Sequence, residues 1–216
     1  MMRGKRRYSN YPSAMEARAA VTKATAARVA QGKTLKLCPF GEGQRKEIEY
    51  DAWRIFPVGA VPKPPPAPPG EFRPFSDHTR SGLKEASALD GLRHSLRTMD
   101  EIAMYLKLNY VMRVSDVDAA FPILPLAPRL WPFMFFTWFD VNQAAGEETD
   151  ETYLYVHVCG DFGSAGMPGT FKIFFADVVC GMARSELILT LPMVIHVDDC
   201  MMIGTEPADV NSEGEA

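Results

Sequence analysis

The sequence lacks the cysteine and histidine spacings of a metal-binding or redox protein. Its four cysteines contain no CxxC pair, and its four histidines are scattered along the chain. Neither a structural zinc site nor a thioredoxin-type motif therefore has the spacing it needs. We interpret the thiols as reduced and expect an intracellular protein of the nucleus or cytoplasm.

The chain also lacks an uninterrupted hydrophobic run. Its longest apolar stretch, residues 121–139, contains Arg129 and four prolines, which argues against a membrane-spanning helix. The first residues are charged and lead into no apolar segment, which argues against a secretory signal. We therefore expect no membrane association.

Lysine and arginine are absent after Asp198 and concentrated at the start of the chain. Residues 1–34 hold eight Lys and Arg against one acidic residue, Glu16. We interpret residues 1–34 as a basic Ala-rich arm and 205–216 as an acidic tail. Residues 13–31 predict a helix that ends at Gly32 and, with its mostly alanine face, buries little. The arm is either a contact for nucleic-acid phosphates or a solvated extension.

Hydrophobic content of 47% with 23% charged residues is typical of a folded domain. Apolar residues at spacings of three and four predict a helix over about 86–108. Alternation predicts strands at 110–117, 153–158 and, on both sides of a turn at Asp198-Asp199, within 187–203. Eight of the 17 prolines lie in 57–74, which predicts a stiff loop between two strands or, less simply, a PxxP ligand. The class is α+β.

Two segments carry aspartates in a pattern that suits a pair of metal ions. VSDVDAAF occupies residues 114–121, and IHVDDCMMIG occupies 195–204. Transfer of a nucleotide to a 3′ hydroxyl uses two divalent ions held by carboxylates. Asp116 on one strand and Asp198 with Asp199 at a hairpin turn provide such carboxylates.

These segments, in this order, resemble the reverse transcriptases (RNA-directed DNA polymerases) of retrotransposon-type retroelements. The first is similar to the family motif D-[IVL]-x-x-A-[FY] with a trailing apolar-Pro-Leu, here ILPL at 123–126, and the second to the Y-x-D-D turn. The resemblance implies that Asp116, Asp198 and Asp199 are catalytic and hold Mg²⁺ or Mn²⁺. It also implies a metal contact from the backbone carbonyl of Val117, and an aromatic gate, Phe121, that selects dNTPs.

Two more segments resemble the same family. FRPFSDHT at 72–79 is similar to the fingers strand R-P-[IVF]-x-D-x-[TR], which implies that Arg73, with Lys63, contacts the triphosphate. FGSAGMPGTF at 162–171 is similar to the segment that packs against template and incoming nucleotide. It implies substrate contacts from Phe162 and Gly163, followed by a helix from Pro168 to Cys180.

The resemblance implies a palm of antiparallel strands backed by helices at 111–204, with a partial fingers-like region at 35–110. The implied partners are dNTPs and an RNA/DNA primer-template. Only 12 residues follow Gly204, so we expect the thumb to be absent. His196 also stands where the family usually has Tyr, a ring that supports the primer terminus. The alternative is a non-catalytic nucleic-acid-binding or interaction protein that uses a decayed palm as a scaffold.

Overall fold

The computed structural model describes residues 4–40, 50–87, 99–141, 151–186 and 188–207. Contacts group the chain into two compact units. Unit 1 comprises residues 1–88 and 122–165, and unit 2 comprises residues 89–121 and 166–216. The four-part division expected from the sequence stays a prediction, and most of the expected acidic tail lies outside the described residues.

The described residues form short strands and helices. The strands, numbered along the chain, are β1 (Lys5–Arg7), β2 (Thr34–Pro39), β3 (Trp53–Ile55), β4 (Val58–Pro62), β5 (Phe72–Ser76), β6 (Val111–Asp116), β7 (Phe135–Phe139), β8 (Thr152–His157), β9 (Met193–His196) and β10 (Asp199–Gly204). The helices are α1 (Pro12–Glu16), α2 (Arg18–Ala30), α3 (Leu83–Ala86), α4 (Met99–Ala103), α5 (Met167–Phe171) and α6 (Cys180–Ser185), with a π-helix at Lys172–Val179 and 3₁₀ turns at Phe121–Ile123 and Pro128–Phe133. The predicted α+β class is confirmed.

The core of unit 1 lies on both faces of β7. All five residues of β7, FFTWF, are buried, and successive side chains of a strand point to opposite faces. Phe136 and Trp138 belong to one apolar cluster, whereas Phe135 packs with Ile55 and Leu154 in another. The sheet has the order β1-β3-β7-β8-β2. Burial on both faces explains why this strand has no polar alternation.

The N-terminal basic segment folds against this sheet. Ala14, Ala17 and Val21 on and between α1 and α2 are at most 4% exposed and belong to the cluster around Trp138. The prediction that this helix buries little is therefore wrong, and so is the alternative of a solvated extension. Small side chains let the helices approach the aromatic layer closely. The predicted end at Gly32 is confirmed by its φ of +68°, the usual conformation after a helix C-cap.

The proline-rich segment connects two strands, as predicted. β4 and β5 pair antiparallel, with Val58 opposite Ser76 and Pro62 opposite Phe72. Gly59 lies beneath the ring of Phe75, where an added Cβ would come within 2.2 Å of the ring. Any side chain at position 59 would therefore displace the Phe75 ring.

The helix predicted for 86–108 falls partly outside the described residues, which omit 88–98. α4 ends at Ala103, so the predicted continuation to Leu108 is wrong. Leu108 is 91% exposed and Met104 73% exposed, whereas Ile102 is buried. Leu106, the next member of the apolar period, is 43% exposed, so in the described part of this segment the period after Ala103 is not matched by burial.

Unit 2 contains a three-stranded antiparallel sheet in the order β6-β10-β9. These strands confirm the predictions for 110–117 and for two strands at the second aspartate motif. The predicted turn at Asp198-Asp199 is displaced by one residue: Val197 and Asp198 form the turn, and Asp199 is the first residue of β10. The helix predicted from Pro168 to Cys180 is also confirmed, and it continues to Ser185 through α5, the π-helix and α6. Among the residues that the structure describes, no helix is long and apolar enough to span a bilayer. All four cysteines are free.

Candidate active site

The predicted catalytic aspartates come together at one end of the unit 2 sheet. In the antiparallel register Asp199 of β10 lies directly opposite Asp116 of β6 and, on its other side, opposite His196 of β9. Residues that are directly opposite project to the same face, with Cβ atoms about 4.5–5.5 Å apart. One row across three strands thus holds two carboxylates and an imidazole.

Asp198 lies at the turn that joins β9 to β10. Its carbonyl accepts a hydrogen bond of 3.0 Å from the backbone N–H of Val117, which fixes the turn to the end of β6. Val197, the preceding residue, has φ +60°. A β-branched residue in this left-handed region is strained, and such strain is concentrated at functional sites.

A buried thiol lies close to the three aspartates. Cys200 is 5% exposed, on the sheet face opposite to that of Asp199. Burial, together with the nearby Cys180 and the negative charges of the three aspartates, raises the pKa of the Cys200 thiol to about 11. Cys180 lies on α6 and is buried as well.

The donor chemistry of the row fits a hard divalent ion. Carboxylate oxygens of Asp116, Asp198 and Asp199, with the carbonyl of Val117, are the ligand types that Mg²⁺ and Mn²⁺ take. Asp116 and Asp199 are exposed and Asp198 is half-buried, so all three are accessible. Among the described residues, however, no three His, Cys, Asp or Glu side chains are arranged to hold one ion as they stand.

Phe121, the predicted sugar gate, is packed inside unit 2. It is 5% exposed, and its ring meets Phe171 edge to face, with centroids 6.0 Å apart. Phe171 in turn stacks on Phe175 at 5.2 Å. These aromatic contacts link the 3₁₀ turn that begins at Phe121 to the helical segment that follows the glycine turn. π-Helical geometry, which this segment contains, often marks a functional site.

The predicted triphosphate contacts lie in unit 1, on the β4–β5 hairpin. Arg73 pairs with Val61, and the Lys63 N–H donates to the Glu71 carbonyl. Lys63 and Arg73 therefore share one face of the hairpin, since they occupy alternate positions of the ladder. Both are exposed, but Lys63 Nζ lies 2.7 Å from Glu71 Oε2.

Phe162 and Gly163 lie beside the same hairpin. Gly163 has φ +99°, and an added Cβ would come within 2.8 Å of the Ser76 carbonyl. The glycine is therefore required for a close contact with the end of β5. Phe162 is 48% exposed. The role of both residues in substrate binding stays a prediction.

A buried ionic cluster in unit 1 was not predicted from the sequence. Arg28 Nη1 donates to Asp161 Oδ1 at 2.8 Å, and the other oxygen, Oδ2, lies 3.3 Å from His78 Nε2 and 3.6 Å from His157 Nε2. Thr34 Oγ1 lies 2.8 Å from His157 Nδ1. The partners are far apart in sequence, and only the His157–Asp161 spacing of four residues was visible before folding.

Burial sets the charge states in this cluster. Burial lowers the pKa of His157 to about 3, because its desolvation outweighs the opposing effect of Asp161. The pKa of Asp161 lies well below its ordinary range: burial opposes its ionisation, but His157, His78 and Arg28 outweigh that effect. The cluster therefore contains an ionised Arg28–Asp161 pair beside a neutral His157.

Comparison with solved structures supports the fold. No protein-family model matches the sequence, and no curated protein is similar to it. The crystal structure of a Prototype Foamy Virus protease-reverse transcriptase mutant has a TM-score of 0.63 at 19% identity and covers 99% of this chain and 23% of that one. A foamy viral protease-reverse transcriptase in complex with ds DNA has a TM-score of 0.65 at 17% identity and covers 98% and 30%. The chain spans less than a third of these proteins and has a reverse-transcriptase-like fold.

Proposed function

We propose that this chain carries the fingers and palm of an RNA-directed DNA polymerase of retrotransposon type. In this proposal it transfers nucleotides from dNTPs to the 3′ end of a primer annealed to an RNA or DNA template. The observation that carries the proposal is the cross-strand pair of Asp116 and Asp199 beside the Asp198 turn. A foamy viral protein of similar fold was solved with ds DNA, which supports nucleic acid as the partner.

The aspartates form the metal-binding part of the site. Mg²⁺ or Mn²⁺ bound there supplies the Lewis acidity that nucleotidyl transfer requires. Asp116 and Asp199 present carboxylates from one face of the sheet, Asp198 adds a third at the turn, and Val117 offers its backbone carbonyl. Carboxylates this close repel one another, so a bound cation stabilises the arrangement.

The hairpin binds the triphosphate in this proposal. The guanidinium of Arg73 is suited to a two-pronged contact with phosphate oxygens. Lys63 adds a second positive charge on the same face when it exchanges Glu71 for phosphate. That ion pair is exposed on both sides, and solvent screens exposed ion pairs strongly, so the exchange costs little.

Three other residues contribute to nucleotide binding in this proposal. The edge contact of Phe121 with Phe171 holds the ring in place, as a gate against a ribose 2′ hydroxyl requires. Phe162 and Gly163 are proposed to contact the template and the incoming nucleotide.

Two observations favour the alternative of a non-catalytic nucleic-acid-binding scaffold. The ligand side chains of the described residues do not converge as a group of three, and His196 replaces the family's Tyr in the same row. In this alternative the chain binds nucleic acid without a metal-dependent step.

Metal-dependent stability separates the two candidates. With Mg²⁺ or Mn²⁺ at about 100 times its Kd, the polymerase proposal predicts about 2.7 kcal/mol of added stability, and the Asp116→Asn variant is expected to lose most of it. Asp118→Asn is the matched control, because Asp118 is an exposed aspartate two residues away that lies outside the row.

Primer extension with dNTPs completes the test. We expect Mn²⁺- or Mg²⁺-dependent extension that Asp116→Asn abolishes and Asp118→Asn retains. Metal-independent stability together with binding of a primer-template and no extension would establish the scaffold instead.

A further inference from the structure

The buried carboxylate of Asp161 connects several segments of unit 1. Its Oδ1 accepts a hydrogen bond of 2.8 Å from Arg28 on α2. Its Oδ2 lies 3.3 Å from Nε2 of His78, which follows β5, and 3.6 Å from Nε2 of His157, the last residue of β8. The second prong of Arg28, Nη2, donates to the Gly160 carbonyl at 3.2 Å. Asp161 is 4% exposed, so these contacts are formed away from water and hold the chain at position 161 to α2, to β8 and to the end of β5.

The turn that follows Asp161 is held at a second place. The N–H of Ser164 donates to the Asp161 carbonyl at 3.3 Å and closes the turn that contains Phe162 and Gly163. A Cβ added to Gly163 would come within 2.8 Å of the carbonyl at the end of β5 and 3.5 Å of the His78 ring. His78 therefore touches both the carboxylate before the turn and the turn itself.

The same strand carries the proposed triphosphate contact. Arg73 lies on β5, and His78 follows this strand in the chain. The imidazole of His78 is oriented by Phe56, whose ring it meets edge to face with centroids 4.5 Å apart. Asp161 therefore joins, through His78, two segments of unit 1 that are proposed to contact the nucleotide: the strand of Arg73 and the turn of Phe162 and Gly163.

The chemistry of this cluster suits the control of geometry better than the gain of stability. Two charges removed from water lose much of their attraction to desolvation, and apolar side chains of similar volume often stabilise a fold as well or better. Hydrogen-bonded networks in a low-dielectric interior, in contrast, favour one arrangement of their members. Both oxygens of Asp161 are engaged, so its position is closely defined.

We infer that Asp161 is a positioning residue for the incoming dNTP. With Arg28 and His78 it holds the Phe162–Gly163 turn at a fixed place beside β5, and it does not itself touch the substrate. The inference rests on the proposed function, because the turn acts only if the chain binds a nucleotide. Displacement of a binding group by about 1 Å can lower a rate a hundredfold, so loss of this support has a measurable effect.

An apolar replacement of the ion pair separates positioning from stability. The double variant Arg28→Met/Asp161→Val removes both charges and leaves neither partner buried alone, so we expect unchanged or higher thermal stability. In primer extension by the full chain we expect the KM for dNTP to rise about 10- to 100-fold. The Kd for the primer-template should stay within about twofold of the wild-type value, because the cluster supports the nucleotide contacts.

A second ion pair of unit 1 provides the matched control. Lys36 on β2 lies 2.5 Å from Asp140, which follows the end of β7 that pairs with the start of β8. His157 lies at the opposite end of β8. Lys36→Met/Asp140→Val therefore removes a comparable pair away from the turn, and it should keep the wild-type KM for dNTP.

A conservative single variant gives a graded effect. Arg28→Lys keeps a positive charge beside Asp161, but its single nitrogen does not reproduce the fork that reaches both Asp161 and the Gly160 carbonyl. We expect a smaller rise in the KM for dNTP, about three- to tenfold. If the apolar double variant does not fold, Arg28→Lys decides, and an unchanged KM overturns the inference.

The outcomes distinguish this inference from the proposed function. Wild-type extension together with an unchanged KM for dNTP in the folded double variant overturns the inference alone. An equal rise in the Lys36→Met/Asp140→Val control also overturns it, since the loss of any ion pair would then have the same effect. A wild-type chain without metal-dependent extension overturns the proposed function, and this inference with it.

Discussion

Acidification is expected to destabilise unit 1 through His157. The pKa of His157 is lowered to about 3 in the folded chain, against an ordinary value of 6.5. Below pH 6.5 the unfolded chain therefore binds one more proton than the folded one. The free energy of unfolding falls by about 1.4 kcal/mol per pH unit from this group alone. Between pH 6.5 and 4.5 the loss is about 2 to 3 kcal/mol, a large part of a typical stability.

The groups facing His157 do not remove this effect. Asp161 raises the pKa of His157 and Arg28 and His78 lower it, but desolvation is the largest cause. The pKa of Asp161 itself is depressed, so its contribution to stability is present above its ordinary pKa near 4 and is lost only at lower pH. The window from pH 6.5 to 4.5 therefore reports the imidazole rather than the carboxyl.

The assay is urea unfolding at several pH values, followed by tryptophan fluorescence. All three tryptophans, residues 53, 131 and 138, lie in unit 1. The variant His157→Gln has no titrating ring, so we expect a shallower dependence on pH whatever its stability at pH 7. An unchanged slope in His157→Gln would refute the reasoning.

Other predictions concern packing, strain and reactivity. Gly59→Ala forces the Phe75 ring to move and should lower the free energy of unfolding by about 1–3 kcal/mol. Gly181→Ala, in a helix where nothing lies within 4 Å of an added Cβ, should raise it by about 0.5–1 kcal/mol. Chemical denaturation measures both, and equal effects of the two variants would contradict both predictions. Val197→Asn relieves a φ of +60° and should stabilise by about 1 kcal/mol, measured by thermal unfolding; a loss would show that the turn is not strained. The buried Cys200, with its pKa raised to about 11, should be the slowest thiol to react with iodoacetamide at pH 8, as followed by mass spectrometry; rapid labelling would disprove its burial.

The sequence predicted the strands of unit 2 well because their signals are local. The alternation of residues over 110–117 predicted β6, and the paired aspartates predicted a turn within one residue of the turn between β9 and β10. A two-residue turn between apolar strands leaves little choice of pairing. The cross-strand placement of Asp116 opposite Asp199 follows from that pairing once β6 is added to the sheet.

Errors arose where a local pattern depended on a distant surface. The alanine-rich helices were expected to bury little because their own side chains are small. Their burial depends on the aromatic layer around Trp138, more than a hundred residues later. The apolar period that runs to Leu106 was expected to continue a helix, but within the described residues Leu106 is 43% exposed and Leu108 is 91% exposed.

The sequence alone therefore determined the class of fold, the order of the motifs and the identity of the aspartates that share one sheet. These features depend on neighbours in the chain and on strand alternation. Only the tertiary structure showed that His196 lies in one row with Asp116 and Asp199, because the pairing register of three strands is a property of the sheet. It also decided the Arg28–Asp161 cluster, since these side chains meet only when segments 133 residues apart are packed together and removed from water.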